Sequence, residues 1–227
     1  MQKLIILLFL TLSLFALNDV KKNSKMKIKT SNNFSKVKLL VKSPMYSKEM
    51  ARKRKRKEHW ITNIKVKAKN KLILNLETTP HLSTNPIIKF NYKNIRSRKL
   101  ILEYTDNYKY TQKDTHEVKF YNREEHASTI SEPLVLTTPE LAENGGAVPV
   151  SIRSNIPTKS VSVYAKTDTG GYFFIAKFIS TPYTIINYHL KIKLLNTGYI
   201  KVVLKAKNGN IYTKENQVYV AIGGGDQ

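Results

Sequence analysis

Few residues in this chain could do covalent chemistry. Cysteine is absent from all 227 residues, which removes disulfides, thiolate metal sites and any thiol nucleophile. The five histidines, His59, His81, His116, His126 and His189, are scattered, without the HxxH or HExxH spacing that brings two imidazoles to one metal. Glu124 and Glu125 are adjacent in a polar stretch, where solvation accounts for them. There is no P-loop, no GxSxG elbow and no GxGxxG loop. No residue is therefore nominated as catalytic or metal-binding, and no cofactor is expected. What remains is a tip. Val220-Ala221-Ile222 leads into Gly223-Gly224-Gly225 and then Asp226-Gln227. Consecutive glycines lose the most backbone entropy on ordering and carry no side chain to anchor them. The pattern reads as a mobile, exposed arm on the end of a strand, although a frayed terminus looks the same. Such a chain is suited to binding rather than catalysis.

Charge is the other chemical feature. Residues 21–120 hold 27 Lys or Arg against 7 Asp or Glu, while residues 134–227 hold 10 against 5. Residues 52–57 read Arg-Lys-Arg-Lys-Arg-Lys. Such a block marks a solvated segment or an electrostatic docking patch. Nucleic acid is the reading for a cytosolic protein, and the N-terminus argues for export instead. Lys3 precedes an apolar run over residues 4–17 that only Thr11 and Ser13 interrupt, with Ala16 near its end. That run is shorter than the roughly 20 residues a membrane span needs. Residues 1–20 therefore read as a Sec-type signal peptide, and the mature protein as periplasmic without a stable membrane span. Nucleic acid is not expected as a partner.

The elements that would position the arm alternate with period two. Residues 21–35 are rich in Lys, Ser and Asn and are expected to be a flexible basic spacer. From Lys36, apolar and polar residues alternate: Val37, Leu39 and Val41; Ile64 and Val66; Leu72, Leu74 and Leu76; Ile88, Phe90 and Tyr92; Leu100, Leu102 and Tyr104; Val118 and Phe120. This predicts about six half-buried strands over residues 36–120, with Trp60 as packing at the start of one. Residues 121–133 are polar and acidic and read as a linker. The grammar restarts over residues 134–222, with Val148, Val150 and Ile152 on one face and Ile200, Val202, Leu204 and Ala206 on another. Asn208-Gly209 predicts a type I′ hairpin feeding the last strand. No stretch reads as a long amphipathic helix. The expectation is all-β: two immunoglobulin-like β-sandwich domains packed together, followed by the arm at 223–227.

Two sets of motifs resemble a known family. Leu136-Thr-Thr-Pro-Glu140-Leu-Ala-Glu-Asn144-Gly-Gly-Ala-Val148-Pro-Val150 is similar to the AP-x-IAENG-x-x-VPV segment of SoxY, the Y subunit of the Sox thiosulfate-oxidation carrier. Val220-Ala-Ile-Gly-Gly224 resembles the ending of that subunit, Ile-Gly-Gly-Cys-Gly-Gly. Ser43-Pro44-Met45, the pair Arg52-Lys53, Ser83-Thr84-Asn85-Pro86 and Tyr104-Thr105-Asp106-Asn107 resemble, in order, motifs of the Z subunit, SoxZ. The resemblance implies a SoxZ-like domain fused to a SoxY-like domain, an exported non-enzyme. It implies periplasmic partners: the Sox cytochrome, hydrolase and dehydrogenase. It also implies that Gly223, Gly224 and Gly225 are the carrier arm, with Gly225 where the family holds sulfur intermediates on cysteine. Persulfide formation and disulfide exchange need a thiolate, so the chain is expected to be a degenerate carrier. The alternative is an exported two-domain binding or adhesion module.

Overall fold

The computed structural model describes residues 23–118, 130–168 and 170–221. The expected signal peptide, most of the expected linker and the arm residues Gly223, Gly224 and Gly225 lie outside them. The first half runs β1 (Ser24–Thr30), β2 (Phe34–Val41), a short helix α1 (Lys48–Lys53), β3 (Ile61–Ala68), β4 (Lys71–Thr78), β5 (Ile87–Lys93), β6 (Lys99–Asp106) and β7 (Thr111–Glu117). The second half runs β8 (Leu134–Thr137), β9 (Leu141–Ala142), a 3-10 turn (Gly145–Ala147), β10 (Val148–Ser154), β11 (Thr158–Thr167), β12 (Phe173–Ile179), β13 (Thr184–Ile192), β14 (Gly198–Ala206) and β15 (Ile211–Val220).

Each half is an immunoglobulin-like sandwich, and the two halves share both sheets. One six-stranded sheet has the order β1-β2-β5-β13-β10-β8, and one nine-stranded sheet the order β7-β6-β3-β4-β12-β11-β14-β15-β9. The halves meet where β5 pairs with β13 and β4 with β12, both antiparallel. Joining edges in this way removes two exposed ladders per half, the usual aggregation hazard of an open sandwich. The β4–β12 seam is regular, from Ala176 opposite Thr78 to Ile179 opposite Asn75. The β5–β13 seam breaks register between Ile185 and His189, and nearby Asn187 Oδ1 is buried without a hydrogen-bond partner.

One cluster of buried apolar side chains runs through both halves, from Ile28 to Val218. It is the inward side of the alternation: Val37, Leu39 and Val41 from β2, Ile88, Phe90 and Tyr92 from β5, and Ile200, Val202 and Leu204 from β14 are all buried. Each such side chain contributes roughly 1.5–3 kcal/mol when fully buried. Phe178 of β12 stacks on Tyr188 of β13 with ring centroids 3.8 Å apart, bolting one sheet to the other at the seam.

Two expectations need correction. The flexible spacer over residues 21–35 instead contains β1, whose Met26 and Ile28 alternate with Lys25, Lys27 and Lys29 against β2. Strand pairing outweighs the polar composition. The hairpin at Asn208-Gly209 forms, but not as type I′. Only Gly209 has positive φ, +94°, and Ala206 N–H bonds Asn210 O while Gly209 N–H bonds Ala206 O. That is a three-residue loop with glycine in the left-handed position.

The basic run also gains structure. Ser47 Oγ accepts from Met50 N at 3.3 Å and caps α1, Glu49 stands in its first turn, and Arg52 and Lys53 stand in its last. Six residues do not hold a helix alone; buried Ala51 pins this one to the body.

Candidate functional site

The glycine-rich end follows β15 in the sequence, and the SoxY-like motif packs against the end of that strand. Glu140 O accepts from Tyr219 N at 2.8 Å, and Ala142 O accepts from Ala221 N at 3.1 Å. These bonds make β9 a short parallel partner for the last strand, with Leu141 opposite Tyr219 and Ala142 opposite Val220. Asn144 Oδ1 then takes Gly146 N at 2.8 Å, and the chain turns under. Gly145 is required there: a Cβ would stand 2.4 Å from Leu194 O and 3.0 Å from Val220 Cγ1. Leu194 N donates to Gly145 O at 2.7 Å, and Thr197 Oγ1 accepts from Val220 N at 3.1 Å. Ala142, Gly145 and the 194–197 loop thus clamp the strand up to Ala221. Leu141, Leu195 and Tyr219 are left exposed around the root.

Two of the first-half motifs meet beside the seam. Ser43 N donates to Asn85 Oδ1 at 3.0 Å, Asn85 N to Ser43 O at 2.8 Å, and Thr84 Oγ1 to Pro44 O at 3.1 Å. The two short motifs therefore lock together, with Met45 and Asn85 both at positive φ. The segment between β4 and β5 also crosses to β13: Ser83 N donates to Lys191 O at 3.0 Å and Lys193 N to His81 O at 2.7 Å. Tyr104-Thr105-Asp106-Asn107 closes the far end of the first half. There Asn107 Oδ1 accepts from Trp60 N, and Asp106 lies 3.2 Å from His59 Nε2.

Lys193 sits at the convergence, only 6% exposed. Its ammonium donates to Met45 O, to Pro80 O at 3.0 Å, and toward the Met50 thioether at 3.5 Å. Among the described residues no carboxylate pairs with it. Burial, and then the Arg54 charge, push its pKa down to about 8. His81 is held below the ordinary imidazole value by burial and then by Lys193. A cavity of about 460 Å³ opens here, between α1 and the 193–196 loop beside the arm root. Sequence reasoning missed Lys193, for which the available cue was a lysine following the buried Ile192 of an apolar strand.

The four histidines among the described residues do not assemble. His59 meets Asp106, His116 meets Ser24, His189 meets Ser151, and His81 lines the seam cavity. His126 is outside the described residues, among which no cluster of three or more metal-ligating side chains occurs. Among those residues, no helix is long and apolar enough to cross a membrane.

The fold and this root define a class: paired immunoglobulin-like sandwiches whose last strand delivers a glycine-rich end. A family model for the sulphur oxidation protein SoxZ matches residues 23–117, and one for the sulfur oxidation protein SoxY matches residues 120–225. The chain belongs to this sulfur-oxidation carrier family, as a SoxZ domain followed by a SoxY domain. Among solved structures, the sulfur carrier protein SoxY from Chlorobium limicola f thiosulfatophilum is 28% identical. The match covers 40% of this chain and 82% of that one, with a TM-score of 0.35. A superoxide reductase (neelaredoxin) from Ignicoccus hospitalis is 10% identical over 40% of this chain and 81% of that one, TM-score 0.37. The fibronectin(III)-like modules of Clostridium thermocellum CbhA are 10% identical over 87% and 93%, TM-score 0.29. No curated protein sequence matches the chain.

Proposed function

We propose that this protein is a periplasmic, non-catalytic, sulfur-carrier-like member of the SoxY and SoxZ family, degenerate because Gly225 takes the place of the carrier cysteine. The observation that carries the reading is a retained arm root on a chain without a thiol. The clamp of Ala142, Gly145 and Thr197 on the last strand is intact, the SoxY match extends to residue 225, and the sequence contains no cysteine. A swinging carrier needs a mobile tip bearing a nucleophile, and glycine supplies none. The proposed partners are the periplasmic Sox cytochrome, hydrolase and dehydrogenase, reached after export directed by residues 1–20. Docking without loading would make the protein a scaffold or a competitor for those enzymes.

The test is intact-mass spectrometry after incubation with thiosulfate and the partner enzymes, on the native chain and on Gly225→Cys. The expected result is no mass gain on the native chain and a sulfur-containing adduct on the variant. An adduct on the native chain overturns the reading of Gly225 as a lost site. No adduct on the variant replaces the carrier reading with that of an exported binding module.

A further inference from the structure

Three neighbouring strands of the six-stranded sheet, β1, β2 and β5, turn their lysines to one side. Lys25, Lys27 and Lys29 alternate along β1, Lys36 and Lys38 along β2, and Lys89 and Lys93 along β5, and all of them are exposed. The alternation that buries Ile28, Val37, Leu39, Ile88 and Phe90 on the inward side sends these lysines outward. Lys36 lies 5.5 Å from the Phe34 ring centroid and is engaged there, so the inference does not use it. None of the other six forms an ion pair with a carboxylate among the described residues. The three strands contain no Asp or Glu.

The lysines form an array rather than a line. Alternate residues of one strand stand about 6.6 Å apart, and neighbouring strands about 4.8 Å apart. Lys25, Lys27 and Lys29 extend along β1, while Lys27, Lys38 and Lys89 cross from β1 through β2 to β5. Positive charge therefore covers an area in two directions. Single-stranded nucleic acid is held in a groove with aromatic rings on which bases stack. The aromatic side chains of these strands, Phe34, Phe90 and Tyr92, are all buried. None of the large apolar side chains that stand exposed among the described residues belongs to this sheet, so the face offers nothing to insert into hydrocarbon. A face of one sign also repels a second copy of itself.

We infer that the outward face of β1, β2 and β5 docks on the anionic headgroups of a phospholipid bilayer, as a peripheral contact without insertion. Each lysine near such a surface adds an attraction that fades within a Debye length. The flexible lysine stems absorb the twist of the sheet, so several ammonium groups reach one plane. The other sheet does not compete, because its cations are partly offset by acids, as Lys67 is by Glu103 and Lys166 by Glu215. That difference decides which side of the molecule faces the lipid. The inference stands on this face alone and does not rest on the carrier reading.

The experiment is cosedimentation of the full chain with vesicles of phosphatidylglycerol and phosphatidylcholine in equal parts, and with vesicles of phosphatidylcholine alone. The readout is the ratio of the two affinities. Any contribution from the apolar run over residues 4–17 is common to both lipids and cancels. In about 0.1 M sodium chloride the ratio is expected to exceed about 100, and in about 1 M it should fall to near one. Lys38→Gln should lower it about fivefold, the scale of one lysine at an anionic surface. Lys27→Gln, Lys38→Gln and Lys89→Gln together should lower it about 100-fold. These positions are exposed, so the substitutions make no demand on the core. Lys205→Gln, exposed on β14 of the other sheet, should leave the ratio unchanged. A ratio near one for the native chain overturns the inference. So does an unchanged ratio in the triple variant, or a preference that survives high salt. Tighter binding of a single-stranded oligonucleotide than of the anionic vesicles also overturns it, in favour of a linear polyanion. None of these results depends on an adduct at position 225, so this surface and the carrier reading fail separately.

Discussion

Across the six-stranded sheet Lys27 faces Lys38, Lys38 faces Lys89, and Lys89 faces His189, giving one basic side chain on each of four neighbouring strands. No strand of that sheet contains Asp or Glu, while together they carry nine Lys or Arg. The nine-stranded sheet carries six acids, several of them locally paired. Lys67 donates to Glu103 at 2.8 Å, and Lys166 lies 3.7 Å from Glu215. A merely lysine-rich composition would leave the few acids scattered over both sheets. Their confinement to one sheet gives the other a field of single sign, which concentrates anions near it. The same core serves both faces, so charge and packing can be separated by experiment.

The largest effect should come from cutting what the sheets share. Phe178→Ala removes the ring stacked on Tyr188 and leaves a cavity at the seam. A loss of about 3–5 kcal/mol is expected in denaturant unfolding. Protection from hydrogen exchange should fall on β12 and β13 and also on their first-half partners β4 and β5. Loss confined to one half would show that the halves are stabilised independently, contrary to the continuous core.

Next comes the buried cation one residue past β13. Lys193→Met should stabilise the chain at pH 7 by about 1–3 kcal/mol, since apolar replacement of an uncompensated buried charge is often favourable. The sign follows from the lowered pKa. The unfolded chain binds the proton below about 10.5 and the folded chain only below about 8. The native protein is therefore penalised fully below pH 8 and recovers as pH rises toward 10.5. The stability advantage of the variant should shrink over the same window. A constant difference across it would assign the effect to packing.

How far these features could be read from sequence depends on which force produced them. Strands with a buried side announced themselves, as Val37, Leu39 and Val41 do, because period-two burial needs period-two apolarity. β1 carries the same signal in Met26 and Ile28, hidden among lysines. β7, Thr-Gln-Lys-Asp-Thr-His-Glu, has no apolar residue and is held by pairing to β6, so no alternation could reveal it. Helix α1 is too short for a period, though Ser47 is a fair cap signal. The two-half sandwich was legible. The merging of the halves into shared sheets was not, because nothing in β4 or β12 specifies the partner of a free edge. The motif at 142–148 could be recognised, but its task of clamping β15 is a tertiary relation. Lys193 is the plainest failure: its position is set by four separate segments meeting at the seam.

A smaller effect probes the cationic row by pH. His189 is held below the ordinary imidazole value by burial and then by Lys89 and Arg153, and its Nδ1 lies 2.7 Å from Ser151 Oγ. A lowered folded pKa means that stability is fully present above the unfolded value of 6.5 and declines as pH falls below it. His189→Gln should flatten that decline. An unchanged slope between pH 6.5 and 5 would mean that another group carries it.

The smallest effect separates the two sheets most sharply, because one kind of substitution should have opposite signs on them. Lys38 stands between Lys27 and Lys89, so Lys38→Glu converts two like-charge cross-strand pairs into attractive ones. Lys201 faces Glu215 and lies 4.8 Å from the Tyr172 ring centroid, so Lys201→Glu creates a like-charge pair and removes a cation–π contact. Cross-strand pairs of this kind are worth about 0.2–1 kcal/mol each. Lys38→Glu should therefore raise the unfolding midpoint slightly and Lys201→Glu should lower it, at low ionic strength. In about 1 M salt the screening length falls to roughly 3 Å. The gain at Lys38 should then nearly vanish, while the loss at Lys201 keeps the part owed to its ring contact. If Lys38→Glu destabilises at low salt, the three lysines are kept apart by their flexible stems, and the row is a solvated surface without strain. If it stabilises, the native face gives up stability to keep a single sign.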